Sequence, residues 1–510
     1  MTGDQPAPRA GAASDAAERA ILEWVDDNRS LGIGLLRELV RTPSYSGREG
    51  AAADPSSVAG RVFNAARDHG TRVESQSVAP GSENVIEVIE GRGPRALVLE
   101  AHTDAVPEGD PTLWYNGSPF SGAEGFVEYL GQGWIAIEVG SSRYEARIRD
   151  RMTRVWELRT ARRLPIVYGR GSFDNKGPVV STILAMGALA AALRATGTRL
   201  DGTVIGAYTV AEETDGAGIR RFACGPDSWL HQHGYLSGPV GDDGLLTDVA
   251  GIAMDGSYGW IPIVGHRGSL QLEVRTHGRS AHAATPQLGV NAIEMMALLL
   301  LHLRRSEERI RDRLLASLDA SLLGPPTFAI GTTIAGGGVR AVAMTDRGPR
   351  VDRAGINAVP NWCQATIDVR FPASYELPLP QTVELIHQTL DEALRELSLP
   401  DGASFELEAI GLDPPVALAR TFEEAARLPL VRLARSRAAQ LIGFEPHLET
   451  APGGTDATFM IHQARVPTLV EFGPAGALSH DVHEYVETDS VIAGAKVLAL
   501  TALDVLRLAD

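Results

Sequence analysis

Apolar residues recur at helical spacing from about Asp15 to Arg41, where Ile21, Leu22, Val25, Leu35, Leu36, Leu39 and Val40 mark a stripe to be buried. The period then changes. Asn84–Glu90 and Ala96–Glu100 read as strands, a helix opens after Gly177-Pro178 and runs through Leu193, and Gly202–Val210 is strand-like again. Proline suits the first turn of a helix, where its missing N–H is not needed. Strands alternating with helices predict an α/β sheet covered by helices. In such sheets ligands gather at the carboxyl ends of strands.

Near Val264 the pattern shifts. Leu270–Arg275 alternates with period two, a helix spans about Asn291 to Leu303, and Thr327–Ile334 and the alternating Trp362–Phe371 are strands. A helix over Gln381–Leu397 and a strand over Ser404–Ile410 complete a small α+β block with an open sheet, and the tail from Thr421 returns to the α/β pattern. The prediction is a discontinuous α/β domain of residues 1–263 and 412–510, its mixed sheet covered by helices, interrupted by an α+β domain of residues 264–411. Ser121–Arg163, irregular and rich in arginine, reads as an extra hairpin or flap that the pattern does not decide.

Composition narrows the function. With 510 residues, 44% apolar and 22% charged, the chain has material for real cores and the make-up of a soluble globular protein. A net charge of −17 disfavours nucleic-acid and anionic-membrane partners, which need a basic face. Cys224 and Cys363 are far apart and form no Cys-x-x-Cys, so a reducing, cytoplasmic setting is expected and any metal site must use imidazole and carboxylate. Met1–Ser14 has no basic or apolar leader and reads as a flexible tail, and Met295–Leu301, the longest apolar stretch, is far short of a membrane span.

The candidate chemistry sits at strand ends. His102-Thr103-Asp104 closes an apolar run, and residues two apart in a strand share a face, so Asp104 can hold one imidazole nitrogen while the other faces a metal. Alone the triplet is most often an ordinary strand end; its company raises it. Asp174 lies in a loop with Gly169, Gly171 and Gly177, Asp255 ends Gly251–Met254, and His480 sits in a turn-like setting. Glu212-Glu213 leaves another apolar run, so one glutamate can ligate a metal while its neighbour acts as general base on a water the metal acidifies. Two divalent ions need about three protein ligands each with one carboxylate shared; the candidates are His102, Asp174, Glu213, Asp255 and His480. Rival motifs fail: His483-Glu484 has Glu487 where a second histidine would complete a His-Glu-x-x-His, and the glycines from Gly336 lack a surrounding βαβ unit, which removes a dehydrogenase reading.

Together the motifs His102-x-Asp104-x-Val106-Pro107, Trp114 with Pro119-Phe120, Gly169-Arg170-Gly171-x-x-Asp174-x-Lys176-Gly177, Glu212-Glu213, Gly453-Gly454-Thr455-Asp456 and His480–Glu484 carry a resemblance. The chain resembles the di-zinc metallopeptidase and deacylase family, whose members include succinyl-diaminopimelate desuccinylase, acetylornithine deacetylase, aminoacylase, glutamate carboxypeptidase and carnosinase-type dipeptidases. The resemblance implies that His102 and Asp255 bind one metal, Glu213 and His480 the other, with Asp174 bridging, Glu212 as general base and Asp104 orienting His102. It implies a cis Asp174-Asn175 peptide. It makes the inserted domain a dimerisation or lid domain whose His282, in Ser280-Ala281-His282-Ala283, supports the oxyanion, often from the other subunit of a homodimer. Asn357, Arg370 and the Gly454-Thr455 loop match substrate-contacting positions. The implied cofactors are two divalent ions, zinc first, with cobalt or manganese as substitutes. The implied activity is hydrolysis of an amide bond in a small carboxylate-bearing molecule, an N-acyl amino acid or a dipeptide; the alternative is a non-hydrolytic metal-binding or regulatory relative. Three departures stand out. His483 replaces an Asn or Asp, and both the segment Ser121–Pro165 and the segment Arg340–Ala354, expected as a lengthened loop, are additions beside the usual pattern.

Overall fold

The computed structural model describes residues 11–256, 258–337, 339–345, 348–353, 357–451 and 453–509. The chain divides into a larger unit, Met1–Val264 with Phe422–Glu449 and Thr455–Asp510, and a smaller one, Gly265–Thr421 with Thr450–Gly454.

In the larger unit a six-stranded mixed sheet runs in the spatial order Arg72–Ala79, Ser82–Ile89, Thr203–Thr209, Ala96–His102, Val249–Met254, Thr468–Leu469. Ala96–His102 pairs in parallel with both Thr203–Thr209 and Val249–Met254. These three strands are almost wholly buried, which is why they read as continuous apolar runs and not as alternating ones. Their register aligns the carboxyl ends: His102 faces Thr209, and Ala101 faces Tyr208 on one side and Met254 on the other. Glu212-Glu213 and Asp255 therefore leave the sheet at the edge where His102 ends.

The helix Gly177–Thr196 packs against Ala12–Asp27 and Thr488–Leu506. It is apolar on all sides because it is buried on all sides. By length and composition it could cross a membrane, but 78% of the qualifying window is buried inside the fold. The long N-terminal helix is two, Ala12–Asp27 and Arg29–Arg41, parted at Asn28, whose side-chain amide donates to the Trp24 carbonyl at 2.8 Å. The expected tail to Ser14 is shorter, since Ala12–Ser14 is already helical; residues 1–10 lie outside the described residues.

The undecided stretch after Ser121 is neither a flap nor a lone hairpin. Ala123–Gly131, Trp134–Val139 and Ser142–Arg147 form a meander that joins Arg163–Tyr168, Tyr485–Glu487 and Gly476–Ala477 in a second six-stranded sheet, and the helix Asp150–Leu158 follows it. Buried Trp156 stacks on Tyr129, ring centres 5.6 Å apart, and seats that helix on the meander. The arginines that obscured the pattern are spent on its surface, as where Arg143 pairs with Glu138 and Glu128.

The smaller unit is an antiparallel sheet of Thr327–Gly336, Trp362–Phe371, Gly268–His277 and Ser404–Asp413 in that order. Alternate residues of Trp362–Phe371 are buried, as are Leu270, Leu272 and Val274, and this face packs on Met296 and Leu299 of the helix Ala292–Leu315 and Ile386 and Leu390 of the helix Leu379–Arg395. Ala292–Leu315 outruns its expected end at Leu303 because Ile310 and Leu314 continue the buried stripe beneath a charged surface. The addition at Arg340–Ala354 is not a loop but a hairpin of Val339–Thr345 and Gly348–Arg353; Ala354 itself lies outside the described residues.

Close packing sets one measurable limit. A Cβ on Gly494 would lie 1.7 Å from the ring of Trp260, which is fully buried and donates its indole N–H to the Ser490 carbonyl at 2.8 Å. Gly494→Ala is expected to lose about 2 to 3 kcal/mol through overpacking. Gly34→Ala, where a Cβ meets nothing within 4 Å, should hold or raise stability. Thermal unfolding midpoints of the two variants check this.

Candidate metal centre

His102 ends its strand with its ring buried, and its Nδ1 lies 3.4 Å from Asp104 Oδ1. Asp104, wholly buried, collects three donors: the Ser46 hydroxyl at 2.6 Å and the backbone N–H groups of Glu212 and Glu213, each at 3.1 Å. One carboxylate thus backs the imidazole and fixes the turn that carries both glutamates. Burial opposes its charge, but contact with His102 and these donors outweighs burial and holds the carboxyl below the usual aspartate range.

The other face of His102 is open to acids. Its Nε2 lies 3.2 Å from Asp174 Oδ1 and 3.7 Å from Asp255 Oδ1. The second Asp174 oxygen lies 3.2 Å from His480 Nε2, which is itself 3.1 Å from Glu213 Oε2. Two groups able to hold a divalent ion result, His102–Asp174–Asp255 and Asp174–Glu213–His480, each with ligand atoms within 4.8 Å of one another. Asp174 belongs to both and turns one oxygen to each. The five residues singled out as ligands are brought together.

The donor set is imidazole and carboxylate, which suits zinc and related divalent ions. Both ring nitrogens of His102 and Asp174 Oδ1 are buried without a hydrogen-bond partner. Buried polar atoms are costly when left unpaired, so Nε2 and Asp174 Oδ1, which face one another, fit a site built around a cation, while Nδ1 faces Asp104. Burial and the neighbouring Asp174 push Glu213 up to about 7, while Asp174 and Glu213 draw His480 up to about 10. Burial, with the charges of Asp255, Asp456 and Glu213, raises Glu212 well above the carboxylate range against the pull of His102.

The Asp174 loop is pinned by a residue that sequence reading passed over. Glu484, fully buried, accepts from Arg170 Nη1 at 2.6 Å and from the backbone N–H groups of Gly171, Phe173 and Asp174, each at 3.0 Å. The Asp174-Asn175 peptide is cis, and the Asn175 amide donates to the Met254 carbonyl at 2.6 Å, which ties the loop to the strand that delivers Asp255. Lys176, buried behind it, donates to the Thr42 carbonyl at 2.9 Å, and burial brings its pKa down to about 7. A second overlooked group lies behind His102. Glu100 accepts from the Thr209 hydroxyl at 2.7 Å, and the same hydroxyl is 3.4 Å from Asp456. Burial raises both acids, Glu100 to about 7.

His483, where an Asn or Asp was expected, has its own setting. The Tyr168 hydroxyl accepts the Tyr115 N–H at 3.1 Å and is hydrogen-bonded to His483 Nδ1 at 2.9 Å, while Tyr144 of the extra meander stacks on the ring at 4.0 Å. Thr455 belongs to the larger unit, where its hydroxyl donates to the Val470 carbonyl at 2.9 Å. His282, Asn357, Arg370 and Gly454 belong to the smaller unit. There His282 is exposed, and its Nδ1 accepts the Ala284 N–H at 3.0 Å, which leaves Nε2 to carry the ring proton. The Asn357 carbonyl accepts from the Ala283 N–H at 2.8 Å, and Arg370 directs its fork at Asp368, at 2.7 and 3.2 Å.

Residues 152–504 match Peptidase family M20/M25/M40. The chain belongs to this family. Among M20/M25/M40 relatives, the succinyl-diaminopimelate desuccinylase of Methylocella silvestris is 26% identical over 93% of this chain and 98% of its own length. The structure of human carnosine dipeptidase 1 shares the fold, with a TM-score of 0.58 at 14% identity, covering 96% of this chain and 99% of that one. So does a Bacillus subtilis protein described as a dinuclear metal binding peptidase of the M20 family, with a TM-score of 0.54 at 16% identity over 94% of this chain and 99% of that one.

Removing the Glu484 carboxylate should expose how much the M20 loop depends on it. Glu484→Ala leaves the Arg170 guanidinium buried without its counter-charge and is expected to cost about 3 to 5 kcal/mol. Glu484→Gln, which keeps an acceptor, should cost less. Urea unfolding of both variants measures the difference.

Proposed function

We propose that the chain is a two-metal amidohydrolase that cleaves an N-acyl amino acid or a dipeptide. The observation that carries this reading is the pair of ligand groups sharing Asp174. The Glu212 N–H is tied to Asp104 within the same cluster of acids, and the Glu212 carboxylate takes part in no hydrogen bond or ion pair among the described residues. In this reading His102, Asp174 and Asp255 hold one ion and Asp174, Glu213 and His480 the other, zinc being the first choice. Two divalent ions there supply polarisation of the scissile carbonyl and acidification of a water.

The remaining work falls to side chains. Glu212 takes the proton from the attacking water and returns it to the leaving nitrogen, a task its raised pKa suits because it must hold a proton between the two steps. Asp104 keeps His102 in the tautomer and orientation that aim Nε2 at the ion site. His282, with its proton on Nε2, is the donor assigned to the developing oxyanion. Arg370, Asn357 and the Gly454-Thr455 loop are assigned to the substrate's carboxylate. The non-hydrolytic alternative would fit a site that had lost a ligand or the base, and here both ligand groups and the free Glu212 are present.

Metal analysis of the purified protein and a hydrolysis panel of N-acyl amino acids and dipeptides test the reading together. Glu212→Gln is expected to keep its metal and its fold while kcat falls by roughly 10² to 10⁴. Glu213→Gln should lose metal instead. If neither substitution slows hydrolysis of any substrate, the assignment fails.

Metal uptake should also depend on pH in a definite direction. Without an ion, His480 keeps its proton up to about pH 10 and Glu213 up to about pH 7. Binding at Asp174–Glu213–His480 must displace those protons. Affinity is therefore expected to rise with pH, by about tenfold per unit from pH 7 to 9 and more steeply below 7. Competition with a chromophoric chelator at stepped pH values reads this slope.

A further inference from the structure

The segment Ser121–Pro165 and His483 both depart from the family pattern, and in the structure they meet. Tyr144, on the meander's edge strand Ser142–Arg147, lies face to face with His483, ring centres 4.0 Å apart and planes 22° from parallel. The Tyr168 hydroxyl is bonded to the same ring through Nδ1 at 2.9 Å. An Asn or Asp could also meet that hydroxyl but has no ring to stack. His483 is left-handed, with φ of 67°, a conformation that asparagine, aspartate and histidine enter more readily than other side chains. Histidine thus suits the backbone and adds the face that Tyr144 covers.

His483 ends the loop that carries His480. That loop joins Gly476–Ala477 to Tyr485–Glu487, two paired strands of the sheet to which the meander belongs. Leu478 and His480 are left-handed too, with φ of 67° and 61°. Such conformations persist in non-glycine residues only where the surroundings fix them. Downstream, Glu484 is fixed by Arg170 and three backbone N–H groups. From Leu478 to Val482 the anchors are fewer: Arg170 Nη2 donates to the Asp481 carbonyl at 3.1 Å, and the Asp481 N–H turns back to the Leu478 carbonyl at 3.1 Å.

A histidine that binds a metal usually takes its aim from a partner on its other ring nitrogen. His102 has Asp104 there. The acids near His480, Asp174 and Glu213, both face its Nε2, and among the described residues no acid backs its Nδ1. Its side chain is 56% exposed, so packing does not orient the ring either. The aim of His480 falls to its backbone, and so to the clamp on His483. We infer that the extra meander acts on the metal centre through this contact: Tyr144, by stacking on His483, sets the loop that presents His480 to Asp174 and Glu213, and thereby sets the affinity of that group for its ion. The His102–Asp174–Asp255 group, aimed by Asp104, is left unaffected. Tyr144 and His483 are positioning residues that act through His480. The inference rests on the two-ion reading.

Zinc titration of the metal-stripped, full-length protein against a chromophoric chelator reads the two affinities without turnover. Tyr144→Ala is expected to weaken one ion by about 10- to 100-fold, the usual cost of losing a group that orients a metal ligand, and to leave the other within about threefold. Tyr144→Leu, which keeps apolar bulk on the meander and so spares its fold, should do the same. Tyr144→Phe keeps the stack and should match wild type. His483→Ala should reproduce the loss, with the Tyr144→Ala/His483→Ala double variant no weaker than either single one. In a His480→Ala background, which removes the affected site, Tyr144→Ala should leave the remaining ion unchanged. If Tyr144→Ala and Tyr144→Leu weaken both ions alike or neither, if Tyr144→Phe is as weak as they are, or if the effect persists without His480, the inference is overturned and the two-ion reading stands. A wild type that takes up fewer than two ions overturns both.

Discussion

The Asp104 carboxylate is where the fold and the metal centre become one problem. It sits just past a fully buried parallel strand and accepts from Ser46 and from the backbone of both Glu212 and Glu213 while lying against His102. Three chain segments distant in sequence thereby take their positions from one side chain. The arrangement is possible because the parallel register already brings the ends of the central strands to one edge. Without Asp104 the imidazole would lose its backing and the Glu212-Glu213 turn two of its anchors. The proposed ligand His102, the acid beside it and the proposed base are set by a single contact network.

That network has an electrostatic consequence. Glu100, Asp104, Asp174, Glu212, Glu213, Asp255 and Asp456 crowd into one region, and burial drives several of them toward the protonated form. Repulsion between buried like charges is relieved by protons or by cations. Arg170 and Lys176 stand close behind the Asp174 loop, yet the first is committed to Glu484 and the second is brought down to about 7. In the bound-ion reading the compensating charge comes from cations. Histidine and carboxylate pairs in the metal-free protein stand in for it, since His480 bridges Asp174 and Glu213 where an ion would sit.

Much of this was legible in the residues because the site is built from strand ends. An apolar run that stops at a histidine or an acid marks both a buried strand and what it delivers, and His102, Glu212-Glu213 and Asp255 all carry that mark. What escaped was held by the backbone. Glu484 acts through N–H groups of a loop about 310 residues earlier, a relation that leaves no periodic trace in the chain. Glu100 was passed over because it interrupts an apolar strand, where a glutamate reads as solvent-facing; burial behind Thr209 makes it a core acid. The extra segment resisted reading because its alternation serves a sheet edge, with arginines on the outward face, and the second strand of the hairpin near Arg340, Gly348–Arg353, carries a proline and two arginines that read as loop.

The interruption of the larger unit by the smaller one also orders events in time. Synthesis runs from the N-terminal side, so His102, Asp174, Glu213 and Asp255 all emerge before the smaller unit, while Thr468–Leu469 and His480 emerge after it. At about 5 to 20 residues per second, the roughly 200 intervening residues take about 10 to 40 s. During that interval Val249–Met254, later flanked by Thr468–Leu469, is an unpaired edge of the nascent sheet. Every residue of the His102–Asp174–Asp255 group precedes the smaller unit, whereas the group with His480 cannot close until that unit has been made. The two halves of the centre are born in sequence, and a ribosome-bound chain has the ligands for one cation long before it has those for two.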